Sequence, residues 1–124
     1  MLGKRVDKVE TIIGSNTRMK GEVELKGALR VDGVFEGNLH ADSVVIGEKG
    51  RVKGELRASA VVIGGTVEGN VYASEYVEIK SKGRMIGDVT TKKLTIIEGG
   101  IFEGRSNMTK EGPKVQQAPQ PAEK

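Results

Sequence analysis

The chain has 124 residues, enough for one domain, with 36% hydrophobic but only 3% aromatic residues, no Trp and no Cys. The lack of cysteine excludes a disulfide framework and a thiolate metal site, and so few large side chains argue against a conventional globular core. The formal net charge is +3, with charges interspersed and no basic stripe carrying aromatics, which argues against nucleic acid as the main partner.

Residues 1–10 are polar, are expected to be disordered and lack the apolar stretch of a secretory signal. Met1, Leu2, Lys4 and Arg5 pair a short apolar start with two cations. No apolar run approaches the ~18 residues that span a bilayer, so a soluble, cytoplasmic protein is expected.

From residue 11 the chain repeats. Thr11-Ile12-Ile13-Gly14-Ser15-Asn16-Thr17-Arg18-Met19-Lys20-Gly21 returns 33 residues later as Val44-Val45-Ile46-Gly47-Glu48-Lys49-Gly50-Arg51-Val52-Lys53-Gly54, and 33 residues later again from Val77 to Gly87. Between these copies lie Phe35-Glu36-Gly37-Asn38-Leu39, Val67-Glu68-Gly69-Asn70-Val71 and Phe102-Glu103-Gly104. Interleaved, the two phrases make a unit of about 16 residues that occurs six times up to residue 106. A fixed period of this kind marks a stacked array.

Within each unit, small or apolar residues fall at every second position, as in Gly50-x-Val52-x-Gly54-x-Leu56-x-Ala58, Val44-x-Ile46 and Val61-x-Ile63. Period two predicts short strands with one buried face, and no apolar stripe is long enough for a helix. Gly47, Gly64-Gly65 and Gly99-Gly100 punctuate the strands as turns. Strands this short need to wind into a coil whose rungs stack at ~4.8 Å, so six rungs give a rod roughly 30 Å long. One interior column is then Met19, Phe35, Val52, Val67, Met85 and Phe102. A second is Val23, Leu39, Leu56, Val71 and Val89. Between them a column of glycines (21, 37, 54, 69, 87 and 104) lets the interior narrow or the backbone approach closely. Outside, Lys20, Glu36, Lys53 and Glu68 alternate in sign and Glu22, Asn38, Glu55 and Asn70 alternate carboxylate with amide, which suits a tight parallel stack repeating every two rungs.

An open coil ends in rungs with unsatisfied backbone edges and an exposed apolar interior, which template further pairing unless capped. Neither end carries a polar cap. The last rung offers Leu94, Ile96, Ile97, Ile101 and Phe102, with Ile101 standing where Arg51 and Arg84 stand in earlier copies; the first offers Ile12, Ile13, Met19, Val23 and Leu25. These ten residues are the expected polymerisation interface. Residues 107–124 hold all three prolines and few apolar residues and are expected to be disordered.

The register of Gly-x-Val-x-Gly-x-Leu-x-Ala units alternating with Val-Val-Ile-Gly, flanked by two short polar termini, resembles the bactofilins, bacterial cytoskeletal proteins, over residues 11–106. The resemblance implies a right-handed parallel β-helix that polymerises end to end, without nucleotide, into non-polar filaments. It further implies a scaffold at the inner face of the cell membrane, bound there through Met1, Leu2, Lys4 and Arg5, with roles in cell shape, in placing cell-wall-modifying enzymes or in chromosome organisation. It implies no cofactor and no small-molecule substrate.

Two other classes bear comparison. A hexapeptide-type β-helix acyltransferase would use a catalytic histidine on regular rungs near 18 residues. Here the column glycines are spaced 16, 17, 15, 18 and 17 residues apart, and His40, the only histidine, falls at an outward position. A carbohydrate-binding solenoid would expose an aromatic row, for which only Tyr72 and Tyr76 are available. Glu36, Glu68 and Glu103 recur at one repeat position, which makes a ladder rather than an acid–base pair. No phosphate-binding or nucleophile motif occurs, and one histidine cannot hold a metal alone. The sequence therefore points to a structural protein rather than an enzyme.

Overall fold

The computed structural model describes residues 9–108. Within them lie nine parallel-paired strands: β1 (Val9–Ile13), β2 (Arg18–Glu24), β3 (Ala28–Val31), β4 (Val34–His40), β5 (Ser43–Ile46), β6 (Arg51–Ile63), β7 (Thr66–Ile79), β8 (Arg84–Ile96) and β9 (Ile101–Met108). Two stacks of strands result. One runs β2, β4, then the first halves of β6, β7 and β8, then β9. The other runs β1, β3, β5, then the second halves of β6, β7 and β8. Each circuit visits both stacks, so the chain is a parallel β-solenoid of about six turns, as the period predicts. The last strand continues to Met108, and the termini expected to be disordered lie for the most part outside the described residues, as do Met1, Leu2, Lys4 and Arg5.

The register matches the predicted columns residue for residue. Met19 pairs with Phe35, then Val52, Val67, Met85 and Phe102; Val23 pairs with Leu39, then Leu56, Val71 and Val89. On the second stack, Leu29, Val44, Val61 and Val77 form one inward column, and Val31, Ile46, Ile63 and Ile79 another. All of these are buried save Met19, Val23 and Phe102, the members in the end rungs. Alternation along each strand thus delivers one continuous aliphatic core, in which burying a side chain such as Leu56 stabilises the fold by about 1.5–3 kcal/mol. Thr91 is the polar exception: its hydroxyl is buried with no hydrogen-bond partner.

Of the two causes expected for the glycine column, a narrowing interior and a close backbone approach, the structure shows the second. All six of its members hold a positive φ, between 127° and 142°. At Gly37, Gly54, Gly69, Gly87 and Gly104 an added Cβ would overlap the carbonyl oxygen of the column glycine one rung earlier. Side chains are excluded twice over, by backbone conformation and by the stack itself. At Gly21, in the first rung, the same Cβ would meet nothing within 4 Å.

The two-rung period has a backbone cause as well. Gly14–Thr17, Gly47–Gly50 and Lys80–Gly83 are turns closed by backbone hydrogen bonds of 3.0, 2.8 and 2.8 Å, while the intervening rungs turn on Asp32-Gly33 and Gly64-Gly65 alone. Long and short turns alternate until the last rung, where Ile97–Gly100 is long again, with a 2.8 Å bond, out of sequence.

Outside, the polar ladders are in the predicted register, but the contacts are looser than the pattern suggests. Asn38 donates to Glu22 at 3.4 Å, and Lys20 lies 3.9 Å from Glu36. Lys53 stands between Glu36 and Glu68 without an ion pair to either. Long exposed side chains gain too little from such pairs to be held in one geometry.

Candidate functional site

The ends of the stack are the parts of the molecule whose local chemistry is unfinished. Among the described residues, β2 pairs only with β4, β1 only with β3, and β9 only with β8. The second half of β8 pairs only with β7. Each end therefore presents two parallel strand edges with backbone donors and acceptors facing away from the rod.

The ten apolar residues expected at the interface take different places in the two end rungs. At the C-terminal end, Leu94, Ile96 and Phe102 occupy inward columns, continuing Val77, Ile79 and Met85. Ile96 is 45% exposed because no rung covers it, and Leu94 and Phe102 are half-buried against the core. Ile97 and Ile101 stand at the turn, on the registers of Lys80 and Arg84, and are exposed at the rim. At the N-terminal end, Met19, Val23 and Leu25 border the core, with Met19 exposed and the other two half-buried. Ile13 is inward and buried, so it anchors the first rung rather than offering open surface. Ile12 points the other way: it shares the outward register of Arg30 and Val45 and is 61% exposed on a lateral face. Sequence alternation finds the members of an end rung but does not separate interior from rim, because the two ends carry apolar residues at both parities.

Two residues outside the sequence-based set belong with the C-terminal end. Ser106 takes the inward register of Val89, and Met108 that of Thr91; both are exposed. The last rung is thus apolar on one side, around Leu94, Ile96 and Phe102, and mixed on the other.

His40 is exposed, on the register of Glu24, Arg57, Tyr72 and Thr90, and no acidic or second histidine cluster of metal-binding size occurs among the described residues. Tyr72 lies under the Arg57 guanidinium, 4.4 Å from its ring centroid, and Arg57 also donates to Glu55 at 3.2 Å. Tyr76 is 40% exposed on the other stack, so the two tyrosines do not form one row. No helix among the described residues is long and apolar enough to cross a membrane.

Comparison with known proteins agrees with this geometry. A family model described as "Bactofilin: Polymer-forming cytoskeletal" matches residues 11–107. Bactofilin BacP of Myxococcus xanthus is 33% identical over 99 residues, which is 79% of this chain but 41% of BacP, so the chain spans less than half of that relative. Bactofilin BacO of the same organism is 31% identical over 99 residues, 79% of each chain. The cryo-EM reconstruction of double helical filaments of Thermus thermophilus bactofilin superposes with a TM-score of 0.76 at 27% identity, covering 81% of this chain and all of that one.

Proposed function

The chain belongs to the bactofilin family of polymer-forming cytoskeletal proteins, and from that premise we propose that it polymerises end to end, without nucleotide, through the terminal rungs described above. The membership makes it a filament-forming structural protein and not an enzyme. The observation that carries the end-to-end reading is that the same inward column is buried at Met85 and 38% exposed at Met19, one rung position from completion. A second copy stacked on either end supplies the missing neighbour: backbone partners for β1, β2, β8 and β9, and cover for Met19, Ile96 and Phe102. Strand edges and apolar surface provide this affinity by themselves, which leaves no step for a nucleotide to drive. The non-polar order of the family, with like ends meeting, suits two ends of different composition.

The filament in turn acts as a membrane-associated scaffold for cell shape or for placing cell-wall-modifying enzymes, in the cytoplasm at the inner face of the membrane. Support comes from Met1, Leu2, Lys4 and Arg5, a short apolar and cationic start. One copy binds a bilayer weakly; a filament presents many and gains by avidity. Deleting residues 1–8 should abolish co-pelleting with anionic liposomes while leaving polymerisation intact, and unchanged pelleting with liposomes would refute the membrane role.

Phe102→Arg tests the end-to-end reading. It places a charge on an inward position that a docked copy would bury. Wild-type chain should pellet and form filaments in negative stain with no nucleotide present. The variant should sediment as a small species with its β circular dichroism retained; filaments of unchanged length would sink the interface.

A further inference from the structure

One lateral face of the rod is apolar at its middle and carries an ion pair at each end, with the order of the two signs reversed. It belongs to the stack of β1, β3, β5 and the second halves of β6, β7 and β8. Its central outward column reads Ile12, Arg30, Val45, Val62, Glu78 and Thr95 from the first rung to the last. Val45 and Val62 are part-exposed at positions where alternation calls for polar side chains. Beside them stand Ser43 and Ala60, equally small and uncharged.

Charge appears one rung to either side. Below Val45, Arg30 donates to Asp32 at 2.9 and 3.2 Å, and its pKa is raised by that hydrogen bond and by the Asp32 charge. The pair lies over Gly47 of the next rung, where any Cβ would overlap the Asp32 carboxylate. Above Val62, Glu78 lies 3.7 Å from Lys80. Asp32 and Lys80 hold equivalent turn positions, so the order of signs along the strand is reversed between the two rungs.

We propose that this face binds the same face of a second copy, with the two rods antiparallel, as the lateral contact between paired filaments. The proposal rests on the end-to-end reading above. A two-fold axis along the strand direction, between the third and fourth rungs, carries each rung onto its mirror rung in the other copy. Arg30 then faces Glu78 of the second copy, Asp32 faces its Lys80, Val45 its Val62, and small Ala28 its larger Tyr76. Four charges of alternating sign meet at each end of an uncharged strip. Parallel rods, related by an axis along the stack, would instead set Arg30 against Arg30 and Glu78 against Glu78, and like charges directly opposite repel. This complementarity selects a second copy as the occupant and fixes its direction.

The area sets where such a contact operates. Four rungs at ~4.8 Å and four residues at ~3.3 Å give a footprint of roughly 250 Å² per copy. A stable protein–protein interface uses about 800 Å² per partner. Two free subunits are therefore not held together by this face, whereas two filaments repeat the contact along their length and hold by avidity.

Reversing the charge pairs tests the idea without breaking either pair inside a chain. Arg30→Glu with Asp32→Lys keeps an ion pair on its own rung but opposes Glu to Glu78 and Lys to Lys80 in the second copy. Adding Glu78→Lys and Lys80→Glu restores opposite signs across the contact. Negative-stain widths of the polymers should read paired for wild type, half that width for the two-site variant, and paired again for the four-site variant, with all three pelleting alike. A two-site variant that stays paired, a four-site variant that stays single, or a wild type already single overturns the lateral contact alone. A wild type that does not pellet overturns the end-to-end reading, and the lateral contact with it.

Discussion

Met85 and Met19 are the same residue type at the same register of the same column, yet Met85 is fully buried and Met19 is 38% exposed. Phe35 and Phe102 repeat the contrast: the first is fully buried, the second half-buried. What separates the middle of the rod from its ends is therefore not composition but the number of neighbouring rungs. A middle rung has a rung on both sides, and an end rung, among the described residues, has one. Burial in a solenoid is a nearest-neighbour property, so the proposed assembly would draw on the same side-chain columns as stability.

Substitutions that separate the two regions test that contrast, and the glycine column gives the largest effect. Gly54→Ala meets both a positive φ and the Gly37 carbonyl; it should cost more than about 3 kcal/mol and abolish folding or nearly so. Gly21→Ala meets the φ alone and should cost about 1–3 kcal/mol, with folding retained. Thermal unfolding in a background with Met19→Arg and Phe102→Arg, which blocks both ends, keeps both variants monomeric for the comparison. Equal losses at the two positions would break the distinction between middle and end.

The aliphatic columns come next. Leu56→Ala leaves a cavity between two covered rungs and should cost about 2–5 kcal/mol. Phe102→Ala removes a larger side chain but from a rung covered on one side, so the monomer should lose less than Leu56→Ala does while polymerisation is lost. Denaturant midpoints and sedimentation of the same samples check both halves.

Thr91 supplies the smallest effect and the opposite sign. Its buried hydroxyl lacks a partner and lies next to the final rung. Thr91→Val should raise stability by about 1 kcal/mol, visible as a higher Tm, because it removes an unsatisfied group and keeps the shape.

The repeat was legible because its columns are one-dimensional: a period of about 16 residues and an alternation of two together fix which residues touch. Met19 through Phe102 and Val23 through Val89 follow from those numbers. Three features were not legible, each for a physical reason. The positive φ of the glycine column was not, because sequence carries no φ; of the two causes it suggested, a narrowing interior or a close backbone approach, the stack shows the second. Ile12, Ile97 and Ile101 were assigned to the end-rung interface by apolarity alone, which does not say which way a side chain faces; the register puts them on a lateral face and at the rim. Val45 and Val62 were passed over because Val44-x-Ile46 and Val61-x-Ile63 already satisfied the alternation. The signal was the residue at x, apolar in two rungs where Arg30 and Glu78 occupy it in their neighbours.

The central claim is that an end rung becomes a middle rung when a second copy docks. Amide hydrogen exchange of β2 and β9, in the pelleted polymer and in a Met19→Arg, Phe102→Arg monomer blocked at both ends, measures that directly. In the monomer both strands should exchange much faster than β6 and β7, and in the polymer their protection should rise to match them. Terminal strands that exchange as fast in the polymer as in the monomer would contradict the claim.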